Sequence, residues 1–237
     1  MKLGLGLPHY SDEAAPDRIV AFAQRAEALG YDSVWALERL LRPVEPRNPP
    51  WEGMRPPQYY ARVFDPIETV TYVAAHTRTI RLGTSVIDPV SYQGRFYRIP
   101  PSEVGPKPLR EGGVPVLIGV LPQAEASVER AGRMGLGLHP MAFDWKSLEH
   151  QLTLFRETTP SGREPGPVVV RVNNPVTETP LDEADRTPLS GSVEQVRADL
   201  QRAAELGIDY VMWDLTAGFV PYDVQLRLLE PLIEAKP

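Results

Sequence analysis

The sequence contains no cysteine and no long apolar run, and each absence excludes a class of protein. Among its 237 residues there is no thiol, which removes disulfide frameworks, thiolate chemistry and cysteine-based metal sites. No apolar stretch approaches the length of a membrane span, and residues 1–8 are too short for a signal peptide. We therefore expect a soluble, cytoplasmic protein.

Basic residues are also in short supply, with 25 Lys and Arg against 31 Asp and Glu. A net charge of −6 argues against nucleic acid or an anionic membrane as the main partner. Histidine occurs at positions 9, 76, 139 and 150 only, without the spacing of metal ligands. We predict no metal site.

Two stretches near opposite ends of the chain repeat one pattern. Residues 24–38 and 201–215 share Gln, Arg, Ala, Leu, Gly, Asp and Val in register. In each, a helical pattern ends at Leu-Gly, where Gly30 or Gly207 can adopt the left-handed conformation that ends a helix. An Asp and a short run of Val and aromatic residues follow, which is typical of a buried strand. Such helix-to-strand units predict a parallel sheet covered by helices, and a barrel in which the first and last strands meet.

The length fits a single domain spanning residues 1–237, but it is slightly short for a full barrel of eight units, which takes about 250 residues. Seven stretches have strand patterns, and no helical pattern follows the third of them. Residues 90–99 instead predict a hairpin that turns at Gln93-Gly94. The predicted fold is α/β, an incomplete TIM-barrel-like (β/α) barrel of about seven parallel strands, with a β-hairpin insertion after strand three.

Polar side chains follow several of these strands, at the end where barrel enzymes place their chemistry. They are His9 after strand one, Glu38 after strand two, Asn173 and Asn174 after a later strand, and Asp214 at the corresponding place in the second repeat. For each of them a structural role is also open. Glu38 can pair with a neighbouring arginine, His9 can be a loop residue without a role, and the asparagines can form the turn before a proline.

Several short segments in fixed order carry a resemblance to a known family. They cover residues 1–8, 28–41, 80–86, 92–97, 115–119 and 191–196. The chain resembles the bacterial luciferase-like family of flavin- and deazaflavin-dependent oxidoreductases, and most of all its deazaflavin-using branch. The family implies a reduced flavin or deazaflavin lying across the C-terminal mouth of the barrel.

The resemblance also implies places for the cofactor contacts. It puts the ring near Glu38 and Arg39, and it puts Thr84 and Ser85 at a bulge of strand three beneath the ring. Gly119 would lie near the phosphate side of the cofactor.

The remaining site residues would face the substrate. His9 would line the substrate side and, with Glu38, would manage protons as a catalytic group. The residues predicted to contact the substrate are Asn173, Asn174 and Asp214.

The chain also departs from the family pattern at the cofactor site. It lacks about one barrel strand with its flanking helices after strand three. The usual Gly-Gly after strand five reads Gly119-Val120, and the usual Gly-Asp-Gly-Trp of strand six begins at Gly135 and reads Gly-Leu-Gly-Leu.

Three hypotheses of function follow. The first is a luciferase-like oxidoreductase or monooxygenase, using the deazaflavin coenzyme or reduced FMN to transfer hydride or activate oxygen toward a small organic substrate. The second is a non-catalytic flavin- or ligand-binding relative. The third is a cofactor-free barrel lyase or isomerase that uses His9, Glu38 and Asp214. We also expect a homodimer, because the sheet edge and apolar patch left by the lost unit invite pairing.

Overall fold

Short apolar runs form the strands of this protein, and amphipathic stretches form its helices. The computed structural model describes residues 1–38, 58–86, 116–184 and 186–237, with the side chains of Glu38, Ser85 and Val86 excepted. Within these ranges the strands are β1 (Lys2–Gly6), β2 (Ser33–Glu38), β3 (Arg81–Val86), β4 (Leu117–Val120), β5 (Gly137–Pro140), β6 (Val169–Val172) and β7 (Tyr210–Trp213). The helices are α1 (Pro16–Leu29), α2 (Pro66–Ala74), α3 (Glu125–Met134), α4 (Trp145–Thr158), α5 (Val193–Glu205) and α6 (Tyr222–Glu234), and a 3-10 turn covers Gln58–Ala61. The hairpin predicted over 90–99 lies outside the described residues, as does Arg39.

All paired strands run parallel, as expected for helix-to-strand units. Five of them form a sheet in the order β3-β2-β1-β7-β6, and β4 pairs with β5. Two isolated parallel bridges, Leu138 to Val168 and Met141 to Arg171, connect the region of β6, at the edge of the five-stranded sheet, to the region of β5. The first and last strands therefore meet, since β1 pairs with β7 from Lys2 to Leu5. The predicted α/β, TIM-barrel-like fold is confirmed, and in the described residues its seam lies between β3 and β4.

The indole of Trp35 lies on the inner face of the barrel, beside glycines on both neighbouring strands. A Cβ at Gly4 on β1 would come within 3.1 Å of the Trp35 Nε1 atom. A Cβ at Gly83 on β3 would lie 2.5 Å from the Trp35 ring. A larger residue at Gly83 would force the ring to move, whereas at Gly4 it would first meet the Ser33 hydroxyl oxygen, at 2.5 Å. The outer faces of the strands carry the fully buried Leu3 and Leu5, which pack in the core with the helices.

The two sequence repeats use the same hydrogen bonds to fasten the N-terminal ends of the strands. After the left-handed Gly30, Asp32 donates its N–H to the Leu3 carbonyl and accepts the Leu3 N–H at 3.1 Å. In the second repeat, Asp209 donates its N–H to the Val168 carbonyl and accepts the Val168 N–H at 2.9 Å. Each Asp thus joins its own strand to the neighbouring one, which gives the repeated Gly-x-Asp a structural cause.

One carboxylate on α1 anchors the segment that leads into β3. The Oε1 atom of Glu27 accepts three successive backbone N–H groups, from Arg78, Thr79 and Ile80, at 2.8, 2.6 and 2.9 Å. It also accepts the Thr79 hydroxyl at 3.0 Å. These hydrogen bonds lower the pKa of Glu27 from 4.5 to about 2, and those from the backbone have the largest effect.

We predict that Glu27→Ala lowers the free energy of unfolding by about 1–2 kcal/mol, because successive N–H groups lose their acceptor. Since the folded-state pKa lies below the unfolded value, the contribution of the charge is present above about pH 4.5 and is lost as the pH falls to about 2. Urea unfolding measured from pH 2 to pH 7 checks this, with Glu27→Gln as the matched variant that keeps an oxygen acceptor. A difference between the unmodified chain and Glu27→Gln that does not shrink toward low pH would contradict the assignment.

Candidate functional site

A buried ion pair lies at the C-terminal mouth of the barrel, between β6 and the loop after β7. Arg171 and Asp214 are each 3% exposed, and the Nη2 atom of Arg171 donates to Oδ2 of Asp214 at 2.7 Å. The second carboxylate oxygen accepts the hydroxyl of Tyr10 at 2.5 Å and the N–H of Ala217 at 3.1 Å. Both oxygens of Asp214 are therefore engaged by residues of the chain itself.

Neighbouring residues make room for this network and extend it. A Cβ at Gly6 on β1 would come within 3.0 Å of Asp214, so glycine allows the carboxylate to sit against that strand. The Nε atom of Arg171 donates to Oδ1 of Asn173 at 2.9 Å. Burial, and then the charge of Asp214, raise the pKa of Tyr10 well above its usual value, so the phenol stays protonated and donates.

Aromatic rings continue from this network toward the surface. Tyr10 stacks on Tyr60 at a centroid distance of 5.6 Å and lies 5.8 Å from Tyr59. Tyr59 in turn meets the edge of Phe219 at 5.3 Å. Phe219 is 74% exposed, whereas Tyr10 is fully buried. The mouth thus has a buried polar centre and an aromatic wall that reaches the solvent.

His9, predicted to manage protons, is 1% exposed and is held between two strands. Its Nδ1 atom lies 2.8 Å from the Leu7 carbonyl and its Nε2 atom 3.0 Å from the Leu37 carbonyl. Carbonyl oxygens only accept, so a neutral ring can satisfy just one of them. In this geometry neither nitrogen is directed at open space, and the catalytic role of His9 stays a prediction.

The three residues predicted to bind substrate are likewise engaged within the protein. Asn173 accepts from Arg171, and the amide of Asn174 donates to the Ala142 and Pro188 carbonyls at 2.7 and 2.8 Å. Asn174 therefore ties two loops together. The substrate roles of Asn173, Asn174 and Asp214 stay predictions. To bind a substrate, each residue would need a polar atom other than those that make these hydrogen bonds.

A large cavity, with a volume of about 1490 Å³, lies inside the barrel and reaches the seam. Much of its lining comes from the N-terminal ends of the strands, for example Lys2, Ser33 and Tyr210. Thr84 on β3 and Gly119 on β4, both predicted to contact the cofactor, line it. Within the described residues, a Cβ at Gly119 would meet nothing within 4 Å, so they leave open space beside this backbone. Glu38 is the last residue of β2, and Ser85 lies near the end of β3, where it pairs with Leu37 of β2. The structure thus brings Thr84 and Gly119 to one cavity, while the side chains of Glu38 and Ser85 lie outside the described residues.

His139 lies on the wall of the same cavity and is stacked near Trp35, with ring centroids 6.1 Å apart. Its Nδ1 atom lies 2.6 Å from the Val169 carbonyl and must carry the proton to donate there. Its Nε2 atom is buried and has no hydrogen-bond partner within the described part of the chain. Burial, followed by the charge of Arg171, lowers the pKa of His139 from 6.5 to about 4.

Sequence reasoning missed Arg171, Tyr10 and Phe219 as parts of this region. Arg171 interrupts a run of valines, and a charged residue inside a buried strand is the one signal that could have identified it, because such a charge needs a partner. No helix among the described residues combines the length and apolar character needed to cross a membrane. In the same residues no cluster of three His, Asp or Glu side chains could hold a metal ion.

Residues 3–90 match the model of a family described as luciferase-like monooxygenase, so the resemblance read from the sequence is confirmed over that range. Among solved structures, an F420-dependent secondary alcohol dehydrogenase in complex with an F420-acetone adduct superimposes with a TM-score of 0.65 at 12% identity, covering 98% of this chain and 98% of that one. A coenzyme F420 dependent tetrahydromethanopterin reductase from Methanopyrus kandleri superimposes with a TM-score of 0.71 at 11% identity, covering 99% and 98%. At such identities the likeness establishes the fold alone. No curated protein matches the chain in sequence.

We predict that Asp214→Asn lowers the free energy of unfolding by about 3 kcal/mol, because it leaves Arg171 buried without its counter-charge. Urea unfolding followed by circular dichroism measures the loss. The matched control is Asp223→Asn, which removes an exposed carboxylate 2.9 Å from Arg227 and should change stability little. Equal losses of unfolding free energy in the two variants would show that the buried pair contributes no more to stability than the exposed one.

We predict that His139 makes the protein less stable in acid. Its pKa is lower in the folded state than in the unfolded state, so between about pH 6.5 and pH 4 the unfolded chain binds a proton that the buried ring does not. The free energy of unfolding should therefore fall by up to about 3 kcal/mol across this window. His139→Gln should remove this part of the pH dependence, and His76→Gln, at an exposed site, should leave it. Parallel curves for His139→Gln and the unmodified chain would refute the prediction.

Proposed function

From its match to the luciferase-like family, we propose that this chain is an oxidoreductase acting on a small organic substrate at the barrel mouth, with a deazaflavin or reduced FMN as cofactor. The observation that carries the proposal is the cavity that reaches the seam. Residues from the two strands that flank the seam, Thr84 and Gly119, line that one cavity, and both are positions that the family resemblance assigns to the cofactor. Residues 3–90, which match the family, include Thr84.

The cavity is large enough to hold such a cofactor. Ligand pockets usually measure about 300–1,000 Å³, and a cavity of about 1490 Å³ has room for a tricyclic ring and part of its side chain. The open space beside Gly119 lets a planar group approach the backbone. A reduced deazaflavin supplies a hydride when bound, and reduced FMN supplies the electrons that activate oxygen.

The chain itself would supply position and exclusion of water. The buried pair of Arg171 and Asp214, with Tyr10, fixes β6, β7 and the loop after β1 relative to one another. Glu38, at the end of β2, is our candidate for proton transfer, because hydrogen bonds within the protein already engage the polar atoms of Tyr10, His9 and Asp214. The homodimer expected from the sequence remains a further proposal.

A second function, that of a non-catalytic binder, is favoured by one observation. His9 and Asp214 have their polar atoms engaged by backbone carbonyls or by neighbouring side chains. A general acid or base has to reach the proton that it transfers. The same observation counts against a cofactor-free lyase or isomerase, which would depend on these two residues.

Titration of the purified protein with FMN and with the deazaflavin coenzyme separates these functions. Tight binding of either, together with oxidation of the reduced cofactor that depends on an added substrate, supports the oxidoreductase. Tight binding with no turnover across a panel of alcohols, aldehydes and ketones supports the non-catalytic binder. Failure to bind either cofactor would overturn both.

We predict that Gly119→Phe weakens cofactor binding at least about tenfold, because the ring would occupy the open space that a cofactor needs. The fold should tolerate the change, since a Cβ at this position meets no atom of the described part of the chain within 4 Å. Gly119→Ala is the matched small variant and should bind nearly as well as the unmodified chain. Isothermal titration measures the affinities, and unchanged binding by Gly119→Phe would place the cofactor elsewhere.

A further inference from the structure

Backbone strain is concentrated at the C-terminal mouth of the barrel. In the described ranges the residues other than glycine with a left-handed φ are Ser11, Leu189 and Phe219, at 82°, 60° and 59°. They lie in the loops that follow β1, β6 and β7. A left-handed conformation is unfavourable for any residue with a Cβ, and such strain persists where the surroundings over-determine it.

Of these three residues, Phe219 alone exposes a large apolar side chain. Leu189 is fully buried, and Ser11 is small and polar. Phe219 is 74% exposed, so its ring gains little from the core. Burial of the side chain therefore does not explain why a strained position carries phenylalanine and not glycine or asparagine.

The loop that carries Phe219 is held rigidly by the buried network. The N–H of Gly218 donates to the Asp214 carbonyl at 3.1 Å, and the N–H of Phe219 donates to the Thr216 carbonyl at 3.1 Å. The N–H of Val220 donates to the Leu215 carbonyl at 3.0 Å. Because Asp214 is itself fixed by Arg171 and Tyr10, the position of Phe219 follows from the same ion pair.

The ring of Phe219 lies at the solvent end of the aromatic wall. It meets the edge of Tyr59 at an interplanar angle of 74°, and Tyr59 is 5.8 Å from the buried Tyr10. On the loop after β5, Phe143 is a second exposed aromatic side chain at the same end of the barrel, 46% exposed. An exposed aromatic group fixed beside a buried polar centre suits a ligand with one apolar part and one polar part.

We propose that Phe219 is a specificity-determining residue that contacts an uncharged alkyl or aryl part of the substrate. The inference rests on the proposed function for the existence of a substrate at the mouth. The strained backbone is retained because it turns the ring toward the entering molecule, with Tyr59 supporting the ring from the side.

Two variants separate this role from a structural one. Phe219→Asn suits a left-handed φ but removes the apolar contact, and Phe219→Leu keeps an apolar side chain under the same strain. The probe is N-phenyl-1-naphthylamine, an uncharged aromatic molecule whose fluorescence rises when it binds to an apolar site. We expect Phe219→Asn to weaken probe binding at least about fivefold, and Phe219→Leu to stay within about threefold of the unmodified chain.

The thermal unfolding midpoint and the molecular mass in solution complete the test. The thermal unfolding midpoint of Phe219→Asn should equal or exceed that of the unmodified chain, because the strain is relieved. A lower midpoint, unchanged probe affinity, or no binding of the probe by the unmodified chain would overturn the proposal. So would conversion of a dimer to a monomer by Phe219→Asn in light scattering, which would assign the ring to a subunit interface.

The probe needs no cofactor, so this result is independent of the proposed function. Failure of the chain to bind FMN and the deazaflavin coenzyme, with probe binding still sensitive to Phe219→Asn, would remove the oxidoreductase and leave the apolar site. Cofactor binding, together with probe binding that is unchanged in Phe219→Asn, would support the proposed function and remove the apolar site at Phe219.

Discussion

The contact between Arg171 and Asp214 constrains the whole C-terminal end of the barrel. A guanidinium and a carboxylate that are each 3% exposed lose most of their hydration, so each needs the other in close contact. The distance of 2.7 Å between their atoms fixes β6 against the loop after β7, and the hydroxyl of Tyr10 adds the loop after β1. The three loops cannot shift independently without separating buried charges. A site built there is preorganised before any ligand arrives.

The two ends of the barrel are built on different principles. At the N-terminal ends of the strands, Asp32 and Asp209 accept backbone N–H groups and follow glycines, Gly30 and Gly207, which take left-handed φ values without a side-chain penalty. At the mouth, Ser11, Leu189 and Phe219 occupy such φ values alongside Gly191. Among the described residues, the strained positions other than glycine thus lie in loops at the mouth, the end of a barrel that usually carries function.

Features set by local sequence could be predicted, and features set by distant partners could not. The Asp65 cap with its following proline, the capping box of Ser192 with Gln195, and the helix ends at Gly30 and Gly207 all depend on neighbours within a few residues. The meeting of β1 and β7 followed from the repeated unit. By contrast, Arg171 finds its carboxylate 43 residues away and Tyr10 finds the same group 204 residues away. Periodicity contains no information about such pairs. It identified Asp214 as a polar residue at a strand end, but not that its oxygens are already used.

This internal use of polar atoms bears on the kind of chemistry the mouth can support. Groups that satisfy one another in the folded state are poor at exchanging protons with a substrate, because each exchange would leave a buried partner unsatisfied. In the function that we propose, the reactive group comes from a bound molecule, and the residues of the chain orient that molecule and keep water out. The seam cavity lined by Thr84 and Gly119 offers the space. The rigid loop bearing Phe219 lies at the C-terminal mouth and offers an exposed apolar side chain there. An oxidoreductase and a non-catalytic binder would share all of these features, so the step that distinguishes them is the approach of a second molecule to the first. In our proposal, the strained and exposed Phe219 at the rim controls that approach, and the buried ion pair beneath it does not.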